Sequence, residues 1–151
     1  MNRWMVVTGG LMLALLPAMH GMAMGMMDSE YGSMLRHRHV MHNGIGAEYA
    51  NRESPIPRTD DNLWAGRQLY QQNCVACHGK SGRGEGPAAA SMDPPPANLA
   101  AVVQTRMATD GYLYWAIAEG GAPLGTPMPA YKDILAEEQI WQLIQYLRTL
   151  R

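Results

Sequence analysis

The sequence predicts an all-α domain in its second half, and three helical patterns carry that prediction. Apolar residues recur at spacings of three and four from Asp61 to Asn73, and again from Ala136 to Leu150. This spacing is typical of helices with one buried face. A shorter helix is predicted from Thr109 to Glu119, because a threonine can cap its start and a glycine pair follows its end. The chain before Asp61 has little periodicity of either kind.

The two cysteines of the chain stand in the motif Cys74-Val75-Ala76-Cys77-His78. Two thiols three positions apart can each add to one vinyl group of the same haem, and the adjacent imidazole can bind the iron. The alternative is a dithiol/disulfide pair of the thioredoxin kind, which needs no histidine after it. The motif therefore predicts one covalent haem c, attached at Cys74 and Cys77, with His78 as an axial iron ligand.

Residues 1–23 have the pattern of an export signal. Arg3 gives a positive start, Val6 to Leu16 is apolar, and Gly21-Met22-Ala23 offers small residues where a signal peptidase cuts. The alternative is an uncleaved membrane anchor, but the apolar run is shorter than the ~20 residues that a spanning helix usually needs. We therefore predict a periplasmic protein, with a membrane-anchored form if the signal is not cleaved.

Residues 24–60 are predicted to form a largely irregular segment or linker, because glycines and prolines interrupt them. The segment is rich in thioethers and imidazoles, which are ligands that suit copper: Met24, Met26, Met27, Met34, His37, His39, Met41 and His42. No spacing among them fixes a coordination geometry, so a solvated linker is the favoured reading and copper binding the alternative. A third reading is that residues 44–57 dock onto a larger enzyme.

Charge and motif content exclude several other functions. The formal net charge is −1, so no basic surplus predicts binding to nucleic acid. No glycine-rich phosphate loop or catalytic triad is recognisable. The chemistry of the chain is therefore concentrated at the cysteine motif.

The order of elements resembles a class I c-type cytochrome, in particular the small bacterial monohaem proteins. That order is helix, C-x-x-C-H, long loop, short helix, proline-flanked methionine and final helix, and it covers residues 61–151. Gly66 and Tyr70 stand eight and four positions before the first haem cysteine, as the glycine and aromatic residue of that family do. Tyr146 matches the aromatic residue on the family's last helix that packs beside this glycine. The resemblance implies a cytochrome c fold, in which three main helices surround one covalent haem.

The same resemblance implies the remaining haem contacts. Met128, framed by two prolines before the final helix, matches the second axial ligand; Met92 and Met107 are rivals without that frame. Pro87 matches the residue whose carbonyl accepts the free ring N–H of the ligand histidine. Together with His78, a methionine ligand would leave the iron no open position.

An iron with no open position for a substrate implies a one-electron carrier between redox partner proteins and not an enzyme. The alternative is a haem c subunit of a larger membrane or periplasmic oxidoreductase, docked for example on a membrane-bound respiratory complex. A haem sensor or enzyme with an open iron is a third reading, which requires that Met128 not bind the iron.

Overall fold

The structure is a computed structural model that describes residues 33–151. Within that range it has seven α-helices, two short 3-10 helices and no strand, which confirms the all-α prediction. The helices are α1 (33–43), α2 (Ala47–Ala50), α3 (Asp60–Asn73), α4 (Val75–His78), α5 (Leu99–Val102), α6 (Asp110–Ala118) and α7 (Glu137–Leu147). None of these helices is long and apolar enough to cross a membrane. The predicted signal, 1–23, lies outside the described residues.

The crossing of α3 and α7 is the main helix contact of the domain. At Gly66 a Cβ atom would lie 2.0 Å from the backbone oxygen of Gln142, so only glycine lets the two backbones come this close. The rings of Tyr70 and Tyr146 lie beside the crossing, with centroids 5.3 Å apart. The expected roles of these three residues in helix packing therefore agree with the structure.

The helix ends follow local capping chemistry. Thr59 caps α3, since its hydroxyl accepts the Asn62 N–H at 3.2 Å. Asp60 and Asp61 lie in the first turn, where their charge suits the helix dipole. Thr109 caps α6 as predicted, accepting the Tyr112 N–H at 3.1 Å.

The core lies between α3, α6 and α7. Its largest fully buried side chains are Tyr70, Ile140, Trp141, Leu143 and Ile144. Helix α7 supplies most of them, because its apolar residues recur at three and four positions. The final helix thus packs on both of the others, and the predicted periodicity of 136–150 corresponds to a real buried face.

The prediction that residues 24–60 are irregular is wrong for 33–43 and for Ala47–Ala50, which are helical. In α1 the side chains of Leu35, Arg36, His39 and Val40 are partly buried, at helical spacing. Only two of these four are apolar, so the hydrophobic pattern was too weak to reveal the helix. Tertiary packing supplies the stability that local propensity lacks.

The segment after α1 is held against α6 and α7 by specific contacts. A Cβ atom at Gly111 would lie 2.1 Å from the Tyr49 backbone oxygen, which shows how closely α2 approaches α6. The Tyr49 hydroxyl donates to the Glu119 carboxylate. Further along, the Ser54 N–H donates to Asp110 Oδ2 at 2.9 Å. The N-terminal segment is thus part of the domain surface.

Candidate functional site

One large cavity opens between α4, the loop of residues 79–98, α6 and the loop that precedes α7. Its volume is about 1140 Å³, including the space at its mouth. The wall is mainly apolar, with Leu99, Val102, Leu113, Ile117, Leu143 and Leu147 among the residues that form it. Cys74, Cys77, His78 and Met128 all line this cavity, so four of the five predicted site residues lie together.

Helix α4 presents the cysteine motif to the cavity. It follows α3 directly, because the Cys74 N–H donates to the Tyr70 carbonyl at 2.9 Å and Cys74 then begins the next helical turn. The His78 N–H donates to the Cys74 carbonyl at 2.8 Å, which closes that turn. The two cysteines do not form a disulfide with each other. Burial raises the pKa of the Cys74 thiol to about 12, so this sulfur is protonated at neutral pH.

His78 is buried and its tautomer is fixed by one hydrogen bond. Its Nδ1 lies 3.0 Å from the backbone oxygen of Ala97. A carbonyl only accepts, so Nδ1 carries the proton and Nε2 keeps a free lone pair. Burial also lowers the pKa of His78, which favours the neutral imidazole. A neutral ring with a free Nε2 is the form that binds a metal.

The predicted partner of His78, Pro87, is wrong, because the acceptor is Ala97. The stretch before Pro87 is held on the backbone of α4 instead: the Gly86 N–H donates to the Cys77 carbonyl at 3.0 Å. Ala97 is held beside the imidazole because Leu99, two residues further along the chain, donates its N–H to the Gly82 carbonyl at 2.7 Å. The loop of 79–98 is therefore folded back on itself, which the sequence did not reveal.

Met128 approaches the cavity from a loop fixed at both ends. The Gly121 N–H donates to the Met128 carbonyl at 2.8 Å. Gly120 has φ +63°, and a Cβ atom there would lie 2.2 Å from the Pro129 oxygen. On the other side the Tyr131 hydroxyl donates to the Asn73 carbonyl at 2.9 Å, which ties the loop to the end of α3. The thioether is thus presented by a constrained backbone.

The two rival methionines are placed differently. Met92 also lines the cavity, whereas Met107 is not among its lining residues and contacts His37. The structure therefore leaves Met128 and Met92 as thioethers that face the cavity.

Sequence reasoning missed Arg36, which reaches the cavity from α1. Its Nη2 donates to the Gly120 carbonyl at 2.9 Å and to Met128 Sδ at 3.7 Å. The guanidinium lies over the Trp115 ring, 5.1 Å from the ring centroid. Burial lowers the pKa of Arg36. The spacing of four between Arg36 and Val40 was the one available signal, since both lie on the inner side of α1.

The cavity residues fit a covalently attached haem. Two thiols and a histidine with a free Nε2 stand on one side, and a thioether from the loop before α7 also reaches the cavity. The apolar wall suits a porphyrin, and imidazole with thioether is a ligand pair of haem iron.

The histidines of α1 have contacts of their own. His37 lies against Met107, and the ring of His39 stacks on Trp115 with centroids 5.7 Å apart. The part of the chain that the structure describes has no cluster of three or more His, Cys, Asp or Glu that could hold a metal ion. Met24, Met26 and Met27 lie outside it, and copper binding by the N-terminal segment stays the untested alternative to a solvated linker.

An all-α domain in which a C-x-x-C-H helix and a proline-framed methionine line one apolar cavity defines the class of c-type haem proteins. The family model described as Cytochrome c matches residues 64–151. The chain belongs to the cytochrome c family, whose members carry covalent haem c and act in electron transfer.

Four chains of solved structures match the chain. One of them is part of the reducing HAO-like protein complex Kustc0457/Kustc0458 of Kuenenia stuttgartiensis, with 27% sequence identity and a TM-score of 0.54. The match covers 64% of this chain and 47% of that one, so the chain spans about half the length of this relative. No curated protein matches the chain.

Proposed function

We propose that this chain is a periplasmic one-electron carrier that uses a single haem c. In this proposal Cys74 and Cys77 attach the haem, and His78 and Met128 are the axial ligands of its iron. One observation carries the proposal: His78, with Nε2 free, lines the same apolar cavity as both thiols and the constrained Met128. Family membership supports the covalent attachment.

Hydrogen bonds from the backbone hold the two proposed iron ligands, His78 and Met128, in position. The carbonyl of Ala97 orients the imidazole and strengthens its donor character. The Gly121–Met128 hydrogen bond holds the thioether loop in place. When bound, the haem supplies a reversible one-electron couple. If His78 and Met128 both held the iron, a substrate would have no place there, which favours outer-sphere transfer over catalysis.

Replacing Met128 tests the ligand assignment, with Met92 as the matched control. We expect Met128→Ala to abolish the far-red absorption band that reports methionine sulfur on ferric iron, and to lower the reduction potential, since a thioether ligand raises it. Met92→Ala removes the other thioether of the cavity and is expected to leave both unchanged. If Met92→Ala alone abolishes the band, Met92 is the ligand. If the native protein lacks the band, no methionine binds the iron and the ligand assignment fails.

A second candidate function is that of a haem c subunit in a larger oxidoreductase. The observation in its favour is the similarity to a chain of the HAO-like complex. Purification from native periplasmic and membrane fractions, followed by haem staining and a redox titration, separates the two functions. A free haem-stained monomer in the periplasmic fraction supports the carrier, and co-purification with larger chains supports the subunit. Haem staining confined to the membrane fraction would contradict a freely diffusing periplasmic carrier.

A further inference from the structure

Arg36 is a partly buried cation that lines the cavity. Its Nη2 is occupied by the Gly120 carbonyl and Met128 Sδ, whereas its Nη1 is buried and has no hydrogen-bond partner among residues 33–151. No ion pair among residues 33–151 includes it. Burying an unpaired charge costs free energy of folding. Stability alone therefore does not explain why an arginine stands at this position.

The contact between Arg36 and Met128 places the positive charge beside the thioether sulfur. A thioether sulfur has two lone pairs and is a weak hydrogen-bond acceptor. One pair can therefore bind iron while the other faces Arg36. The Gly120 carbonyl and the Trp115 ring hold the guanidinium in this place, at 2.9 Å and 5.1 Å respectively. The guanidinium thus contacts the thioether sulfur, and its Nη1 is buried.

We propose that Arg36 is a positioning residue for Met128, through which the N-terminal helix α1 raises the reduction potential of the site. The inference rests on the proposed function, because it requires Met128 to be the iron ligand. Removing one electron from the site raises its positive charge by one, and a fixed cation in a poorly solvated place opposes that change. The N–H donated to Sδ also fixes the thioether's orientation. Helix α1 is therefore a functional part of the haem site.

The test compares Arg36→Gln with Arg38→Gln in the full haem-loaded protein. Both variants remove one positive charge from α1, but Arg38 is exposed. We expect Arg36→Gln to shift the couple toward the oxidised form by about tenfold, which is about 59 mV for one electron, and to weaken the far-red band. Arg38→Gln is expected to leave the potential and the band as in the native protein.

A second variant keeps the test decisive if Arg36→Gln does not assemble. Arg36→Lys retains the charge but loses the fork that reaches both Gly120 and Met128. We expect its potential to fall between those of the native protein and Arg36→Gln, and to stand below that of Arg38→Gln. Equal potentials for Arg36→Lys, Arg38→Gln and the native protein would overturn the proposal.

The two proposals fail in different ways. If the native protein shows the band and Met128→Ala removes it, the ligand assignment stands; an Arg36→Gln potential equal to that of Arg38→Gln then overturns only the role of Arg36. If the native protein lacks the band, both proposals fall.

Discussion

At the scale of single residues, Gly66 decides how closely helices α3 and α7 approach. It stands on the face of α3 that meets α7, where a Cβ atom would overlap the backbone oxygen of Gln142. A backbone oxygen cannot rotate away as a flexible side chain can. The contact therefore makes glycine obligatory at this position, although glycine is unfavourable inside a helix.

We predict that Gly66→Ala destabilises the haem-loaded protein by about 3 kcal/mol, near the upper end of ordinary overpacking costs. The gain in helix propensity, about 1 kcal/mol, offsets only part of the clash. Guanidinium unfolding followed by circular dichroism measures the effect. Arg67→Ala, at the exposed next position, is the control and should change the free energy of unfolding by less than about 0.5 kcal/mol. A Gly66→Ala protein as stable as this control would contradict the crossing.

Three residues of the proposed haem site could be predicted from the sequence, and one could not. Cys74, Cys77 and His78 were named from their spacing alone, because covalent attachment demands that spacing. The Pro87 prediction failed since a backbone carbonyl carries no sequence signal: any residue supplies one. Ala97 is chosen by the path of a loop, which long-range hydrogen bonds determine.

At the scale of elements, the segment around α2 is attached to α6 by a small polar group. Tyr49 donates to Glu119, and Lys132 Nζ lies 2.9 Å from the other carboxylate oxygen. The Tyr49 hydrogen bond and then Lys132 lower the pKa of Glu119 below its ordinary value near 4.5. Since the folded carboxyl has the lower pKa, its contribution to stability is complete above the ordinary value. It is lost as the pH falls through the lowered one.

We therefore predict that α2 loosens in acid, below pH of about 4.5, and that Glu119→Gln removes this part of the pH dependence. Amide hydrogen exchange of residues 47–50, compared between neutral and acid pH, reports the change. The effect on stability should be less than about 1 kcal/mol, because the group lies near the surface. Glu48→Gln, an exposed carboxyl on α2, serves as the control. Equal acid loosening in the native and Glu119→Gln proteins would rule out this link.

At the scale of the whole molecule, the cavity is the centre of the fold. The space that can be compared with cavities in other proteins is about 130 Å³, and left empty and dry it would cost on the order of 3 kcal/mol. That figure is a large part of the stability of a small domain. A bound group that fills this space therefore stabilises the packing of the helices around it.

We predict that Cys74→Ala/Cys77→Ala, which removes both attachment points, loses the native tertiary packing. Near-ultraviolet circular dichroism should collapse and helix content fall, because the apolar walls can close only by rearranging. Cys77→Ala alone keeps one attachment point and is expected to retain haem and most of the native signal. A native spectrum from the double variant in a haem-free preparation would show that the cavity is stable without its occupant.

The sequence by itself determined the helical class, the final helix and the attachment motif, because these depend on local spacing and on the chemistry of adjacent residues. The tertiary structure decided that residues 33–43 form a helix, that the Ala97 carbonyl accepts the hydrogen bond from His78, and that Arg36 contacts Met128. Each of these depends on groups far apart in the chain, Arg36 and Met128 among them. A weakly patterned helix and a backbone carbonyl acquire their roles only from what packs against them.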